Sequence, residues 1–256
     1  MTNKVILGID LGTTNCSVSI MQGNEVKIFI DNRENRVPSV VHFSKKNDEL
    51  KFEVGKRAEK FLLREPEMTV FDSKRMLGRQ FNDPDIQKLI PQWPFKVKED
   101  EDGKILIVLE KINTTFKPFE ISGYILKHLA EVGNKYLKSE EKTSEVIITI
   151  PANFGDEQRE ETLKAAAFAN LKVLEMINEP TSAGISYGMR EKSTKSSNII
   201  VFDFGGGTLD ISFLSLNNND FNILGSDGDM FLGGRNFDDN IVNFLIKKFD
   251  LEELRN

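Results

Sequence analysis

Two segments of the chain, VILGIDLGTT at Val5–Thr14 and NIIVFDFGGGT at Asn198–Thr208, carry nearly the same phrase. Each is a run of strand-forming residues that ends in an aspartate, one apolar residue and a Gly/Thr turn. A turn of this kind can press backbone N–H groups against a phosphate, and an aspartate at the strand end can hold a hydrated cation. Two copies point to two half-sites closing on one nucleotide tail. Taken singly, the first phrase is a common turn between strands. The second is more demanding. Gly205, Gly206 and Gly207 in succession are costly in backbone entropy and form strands poorly, so a close approach explains them better than a structural accident. Thr208 adds a hydroxyl and Asp210 a second carboxylate just past the turn. The loop is not of the G-x-x-x-x-G-K-[ST] type: that pattern is absent, and the glycines lead into a strand rather than a helix.

Asn178-Glu179-Pro180 sets a proline in the first turn of a helix and Glu179 at or beside its N-cap. Ser182, Ala183, Gly184 and Ser186 then give that helix a small-residue surface open to close packing. By itself the phrase reads as a plain capped helix. Lys74-Arg75 by itself reads as a solvated pair. His128 reads as a core histidine, with no Cys, Asp or Glu at ligand spacing. A net charge of −6 argues against the clustered basic face of a nucleic-acid binder. Cys16 is the single cysteine and cannot form an internal disulfide, which fits a reducing compartment. The opening MTNKVILGID passes straight into a strand with no leader or apolar span, so a cytoplasmic location without a membrane partner is expected.

A length of 256 residues allows one large domain or two ordinary ones, and 19 Phe help to supply a core. Strands are expected at Val5–Asp10, Cys16–Met21 and Glu25–Ile30, joined as hairpins around Gly12 and Gly23–Asn24. After Val40–Phe43 and a polar loop at Ser44–Asp48, helices are expected over Gly55–Arg64 and Thr69–Leu77, with Pro66 ending the first. Lys98–Lys104 reads as a hairpin tip. Ile121, Ile125, Leu129, Val132 and Tyr136 recur at helical spacing across Glu120–Leu137. Strand Val146–Ile150, helix Asp156–Ala169, strand Val173–Ile177, helix Pro180–Tyr187 and strand Ile199–Asp203 then alternate, which implies βαβ crossovers and a parallel part of the sheet. A hairpin of Leu209–Leu216 and Phe221–Gly225, turning at Asn217–Asp220, and a helix over Phe237–Phe249 complete the chain. The polar stretch Glu191–Ser197 marks a boundary between two subdomains.

IDLGTTN at Ile9–Asn15, RVPSVV at Arg36–Val41, FDSKRMLGRQF at Phe71–Phe81, ITIPANF at Ile148–Phe154, INEPTSAGISYG at Ile177–Gly188 and FDFGGGTLDIS at Phe202–Ser212 occur in the order and spacing of the Hsp70 chaperone family. The chain resembles that family over essentially its whole length. The resemblance implies an α/β, actin-like ATPase fold with duplicated ribonuclease-H-like subdomains in two lobes around a cleft. Residues 1–192 would be lobe I, largely present, and 193–256 the start of a truncated lobe II. It also implies Mg-dependent ATP binding and hydrolysis that drives peptide binding and release, with ATP/ADP and Mg2+ as cofactors and K+ as a further candidate ion.

By the same resemblance, Asp10 and Asp203 hold the magnesium, mostly through its waters. Gly12, Thr13, Thr14 and Asn15 form one phosphate turn, and Gly205, Gly206, Gly207 and Thr208 the other. Lys74 reaches the γ-phosphate region, while Glu179 and Asp210 order the attacking water and the metal's water shell. Lys74, Glu179, Asp203, Thr208 and Asp210 thus form the implied catalytic set. Pro151 and Arg159 match a proline hinge and a surface arginine that couple nucleotide state to peptide release. The implied partners are J-domain co-chaperones, nucleotide-exchange factors and, through a C-terminal domain beyond Asn256, unfolded peptides.

The chain also departs from the family's pattern. Arg235 and Asn236 follow LGG where two acidic residues are usual, which brings a cation near the cleft, able either to strengthen phosphate binding or to disturb magnesium. Asn153 stands where the ITIPA phrase often has a tyrosine. The sequence stops at Asn256, ahead of the segments that clamp adenosine, so weak ATP affinity and exposed apolar surface on the first lobe are expected. Two other readings stay open: a non-enzymatic Hsp70-like module that binds co-chaperones, and an actin-fold small-molecule kinase, which INEPTSAGISYG opposes.

Overall fold

A computed structural model describes residues 5–22, 25–31, 34–138, 142–191, 196–217 and 220–251. β1 (Leu7–Asp10), β2 (Asn15–Gln22) and β3 (Glu25–Ile28) form an antiparallel meander. Leu7 and Ile9 of β1 and Cys16, Val18 and Ile20 of β2 are buried, the period-two alternation of a sheet with one face on a core. β4 (Val37–Pro38) pairs with the start of β2. β5 (Val41–Lys46) and β6 (Glu49–Val54) turn tightly at Asn47 and Asp48, both in the left-handed region. Pairing therefore runs through most of Ser44–Asp48, where the composition suggested a loop.

The two short helices expected next are largely overridden by packing. Over Gly55–Arg64 only one turn forms, α1 (Lys56–Glu59), with Ala58 as its single buried residue. A turn that buries so little cannot offset the cost of nucleating a longer helix. Thr69–Leu77 splits. The β-branched pair of β7 (Thr69–Val70) joins β5, and α2 (Ser73–Met76) starts after Asp72, whose left-handed backbone (φ 59) interrupts regular structure. α3 (Pro84–Leu89) is capped by Asp83, whose Oδ1 accepts from Asp85 N at 2.9 Å. β8 (Lys96–Glu99), β9 (Ile105–Leu109) and β10 (Thr114–Phe116) form a small sheet of their own, with the expected charged tip between the first two.

α4 (Pro118–Lys135) buries Ile121, Ile125, Leu126, Leu129 and Val132 and packs against β1 and β2. Each such side chain contributes about 1.5–3 kcal/mol of burial. His128 is not a core residue but half-buried, with Nε2 2.8 Å from Asp31 Oδ2, a partner that sequence spacing could not reveal. β11 (Glu145–Ile150), α5 (Asp156–Phe168), β12 (Lys172–Asn178) and α6 (Glu179–Glu191) follow. β11 lies parallel to both β1 and β12, so the main sheet runs β12-β11-β1-β2-β3. The expected parallel crossover is present here.

It does not continue into the next strand. β13 (Ser197–Phe204) pairs antiparallel along its length with β14 (Leu209–Asn217), which pairs with β15 (Asp220–Asp229), and the three make a separate sheet followed by α7 (Gly234–Phe249). Among the described strands β13 pairs with β14 alone, so the parallel alternation ends at β12. The meander β13–β15 thus repeats β1–β3, which is the duplication expected of the α/β fold. Most of the expected boundary at Glu191–Ser197, the turn at Gly23–Asn24 and the middle of the turn at Asn217–Asp220 lie outside the described residues. Val26 and Ile28 of β3 are exposed, and Ile200 and Phe202 of β13 are more so, at 69% and 64%. Among the described residues no helix is long and apolar enough to cross a membrane.

Candidate active site

Both repeated phrases end at one cavity of about 520 Å³. β1 and β13 bring Asp10 and Asp203 to its wall, and the turns that follow each strand line it together with Lys74 and Glu179. The two turns touch. A Cβ on Gly206 would collide with Thr14 Oγ1, and one on Gly207 would sit 2.6 Å from Thr13 Cγ2. This is the close approach that the glycine run implied.

The carbonyls of both turns are held from behind. Gly205 O accepts from Gly234 N at 3.0 Å and Gly206 O from Arg235 N at 2.9 Å, both at the start of α7, and Gly207 O accepts from Arg75 Nη2 at 2.7 Å. On the first turn, Gly12 O accepts from Ser39 Oγ at 2.7 Å and Thr14 O from Ser39 N at 2.8 Å. None of these donors lines the cavity. In a trans peptide the next N–H points opposite to the C=O. Anchoring these carbonyls outside therefore turns the N–H groups of Gly206, Gly207 and Thr208, and of Thr13 and Asn15, toward the cavity side. Successive inward N–H groups form an anion cradle.

Lys74 Nζ lies 2.6 Å from Glu179 Oε1, with the side chains 7% and 13% exposed. Read alone, Lys74-Arg75 suggested solvated charges; here both are buried, because the short α2 packs against α4 and all four of its residues are covered. One ammonium thus faces the carboxylates of Glu179, Asp10 and Asp203. Burial pushes the Lys74 ammonium down, yet Glu179 and Asp10 outweigh it and hold the group above the ordinary lysine value. Burial, helped by Asp10 and Asp203, keeps the Glu179 carboxyl above the usual range despite Lys74. Asp203 is raised by burial and then by the charge of Asp10. The cluster holds more negative charge than its own cation matches, an arrangement that a bound cation relieves. Among the described residues no three His, Cys, Asp or Glu side chains converge to hold a metal directly. A hydrated Mg2+ between Asp10 and Asp203 fits this donor set; an ion fully enclosed by protein ligands does not.

Gly12, Thr13, Thr14, Asn15, Gly205, Gly206, Gly207 and Thr208 all line the cavity. Asp210 does not. It stands opposite Asp203 in the β13–β14 pairing but is buried off the wall, its carboxyl raised by burial and then by Asp203, with the Thr208 hydroxyl partly offsetting them. Pro151 and Arg159 also lie off the wall. Arg159 Nε donates to Phe154 O at 3.1 Å and Nη2 to Asn178 Oδ1 at 3.3 Å, tying the loop after β11 to the residue that precedes Glu179. Cys16 Sγ is 3.1 Å from Ser39 Oγ, and burial pushes its thiol up to about 12, so it props the first turn and is no nucleophile.

Arg235 is not a free cation beside the cavity. Its Nη1 lies 2.7 Å from Asp72 Oδ2, and the guanidinium sits over the Phe71 ring at 4.5 Å. Asn236 Oδ1 accepts from Gly233 N at 2.8 Å, closing the start of α7. Ser39, Arg75 and the first amides of α7 are the supports that sequence reasoning missed. Ser39 and Arg75 lie inside the RVPSVV and FDSKRMLGRQF phrases, but neither residue type nor spacing marks them as carbonyl anchors. A family model described as Hsp70 protein matches residues 6–254 of the 256-residue chain. With that extent of match, and with an α/β architecture that brings two equivalent glycine turns to one cavity, the chain belongs to the Hsp70 family and has its actin-like ATPase fold.

Proposed function

We propose that the chain binds ATP with Mg2+ and hydrolyses it, and that this hydrolysis drives peptide binding and release in an Hsp70-type chaperone. The observation that carries the reading is the meeting of two glycine turns on one cavity that also holds Asp10, Asp203 and the Lys74–Glu179 pair. The phosphates lie against the two turns. Asp10 and Asp203 hold Mg2+ through its waters, and the ion when bound neutralises phosphate charge. Phosphoryl transfer to water needs in-line placement and charge neutralisation more than covalent help. Lys74 supplies positive charge at the γ-phosphate. Glu179, fixed by Lys74 through Oε1, orients the attacking water with its other oxygen, while Asp210 adds negative charge behind Asp203. Residues 1–192 and 193–256 act as the two sides of the cleft.

Arg159, bridging Phe154 and Asn178 beside Glu179, supports a route from the nucleotide to Pro151. J-domain co-chaperones and nucleotide-exchange factors are the partners that fit this reading, with unfolded peptides bound elsewhere in the chaperone. The test is Mg-dependent ATP hydrolysis by the chain and by Lys74→Ala. Because Lys74→Ala leaves Glu179 buried without its cation, at a cost of about 3–5 kcal/mol, Lys74→Ala/Glu179→Gln serves as a companion. Both variants are expected to lose on the order of 10²–10³-fold in hydrolysis, with a much smaller change in nucleotide affinity. Equal, near-background rates for the unaltered chain and both variants would overturn the proposal.

A further inference from the structure

Thr149 stands opposite Asp10 in the parallel pairing of β11 with β1, and its Oγ1 donates to Asp10 Oδ1 at 3.0 Å. The bond occupies one carboxylate oxygen and leaves Oδ2. A β-branched residue in a strand has few χ1 choices, so this hydroxyl is held in place at little entropic cost. It is also neutral, so it fixes the rotation of the Asp10 carboxylate without cancelling its charge, as a lysine there would. Asp203 lines the same cavity as Asp10. The carboxylate that Thr149 orients is thus one of the two that the strand ends bring to this cavity.

We infer that Thr149 is a positioning residue for the cation: it locks the Asp10 carboxylate so that Oδ2 is presented to the ion's water shell. The inference rests on the Mg2+–nucleotide reading of the cavity. Hydrogen-bond partners that orient metal-holding carboxylates are worth about 10–100-fold in metal affinity. A bond that merely stitched β11 to β1 would contribute to stability and leave the Mg2+ requirement untouched.

The test titrates Mg2+ against the full chain with a fixed concentration of a fluorescent ADP analogue, reading the Mg2+ needed for half-maximal tightening, alongside melting curves. Thr149→Val is expected to raise that concentration by about 10–100-fold, leaving metal-free nucleotide affinity unchanged. Thr149→Ser, which keeps the hydroxyl, is expected to restore the requirement of the unaltered chain. In an Asp10→Asn background Thr149→Val should have no further effect, because the two act as one unit. If Thr149→Val does not fold, Thr149→Ala removes the same hydroxyl with less crowding and carries the same expectation. An unchanged Mg2+ requirement in the hydroxyl-less variants, or an undiminished effect in the Asp10→Asn background, overturns the role of Thr149. Absence of any Mg2+ dependence in the unaltered chain overturns the underlying reading instead.

Discussion

Around Lys74 the local charge does not balance, and that imbalance governs how the site should respond to pH. Asp203 has a folded-state value above its ordinary one, from burial and then from Asp10. The folded protein therefore takes up this proton before the unfolded chain does. Its contribution to stability is fully present at pH below the ordinary value and is lost as pH rises through the folded value. Asp203→Asn is accordingly expected to melt at a higher temperature than the unaltered chain at pH 7 without cation, and the difference should close as pH falls through the raised value. With Mg2+ and nucleotide the order reverses. The unaltered chain gains about 2.7 kcal/mol at ligand a hundredfold above its dissociation constant, and the variant gains less. Melting curves at several pH values, with and without Mg2+, check this; a variant less stable at pH 7 without cation would refute it.

The glycine turn and the start of α7 behave as one element. Gly234 N and Arg235 N hold the turn's carbonyls, and the Arg235 side chain is in turn held by Asp72. Asp72 is buried, accepts a second bond from Trp93 Nε1 at 3.1 Å, and has a left-handed backbone (φ 59). Arg235→Glu, which restores the acidic residue usual in the family, is predicted to be harmful here. It sets like charges together and leaves a buried carboxylate short of a donor, at a cost of about 1–3 kcal/mol. Hydrogen exchange at the amides of Gly205 and Gly234, which donate to Thr208 O and Gly205 O, should accelerate as the turn loosens. Exchange unchanged from that of the unaltered chain would show that the pair does not support the turn. Exchanging the two charges should rescue incompletely, because arginine in the left-handed backbone of Asp72 costs roughly 1–2 kcal/mol.

Over the whole molecule, the two meanders are unequally covered. β1–β3 lie in a sheet closed by α4, whereas β13 shows Ile200 and Phe202 to solvent and α7 has no fully buried residue. A contiguous apolar face of this kind favours association. Sedimentation velocity is expected to show concentration-dependent self-association of the chain. Ile200→Thr/Phe202→Ser should weaken it by at least about tenfold, since each large apolar side chain is worth about 1.5–3 kcal/mol on burial. A chain that stays monomeric across the accessible concentration range would contradict this.

The order of residues was enough to reveal the two strand–aspartate–turn phrases, the close approach at Gly206 and the alternation around β11, α5 and β12. These depend on neighbours a few residues apart, where backbone sterics and period-two or helical patterning act directly. What only the folded chain decided is which distant groups meet. Lys74 and Glu179 are 105 positions apart, Arg75 and Gly207 132, Arg235 and Asp72 163, and Thr149 and Asp10 139. The same holds for the loss of helix after Gly55 and for the departure of β13 into its own sheet. Local propensity there is worth tenths of a kcal/mol per residue, and the burial of whole side chains, together with pairing across the sheet, outweighs it.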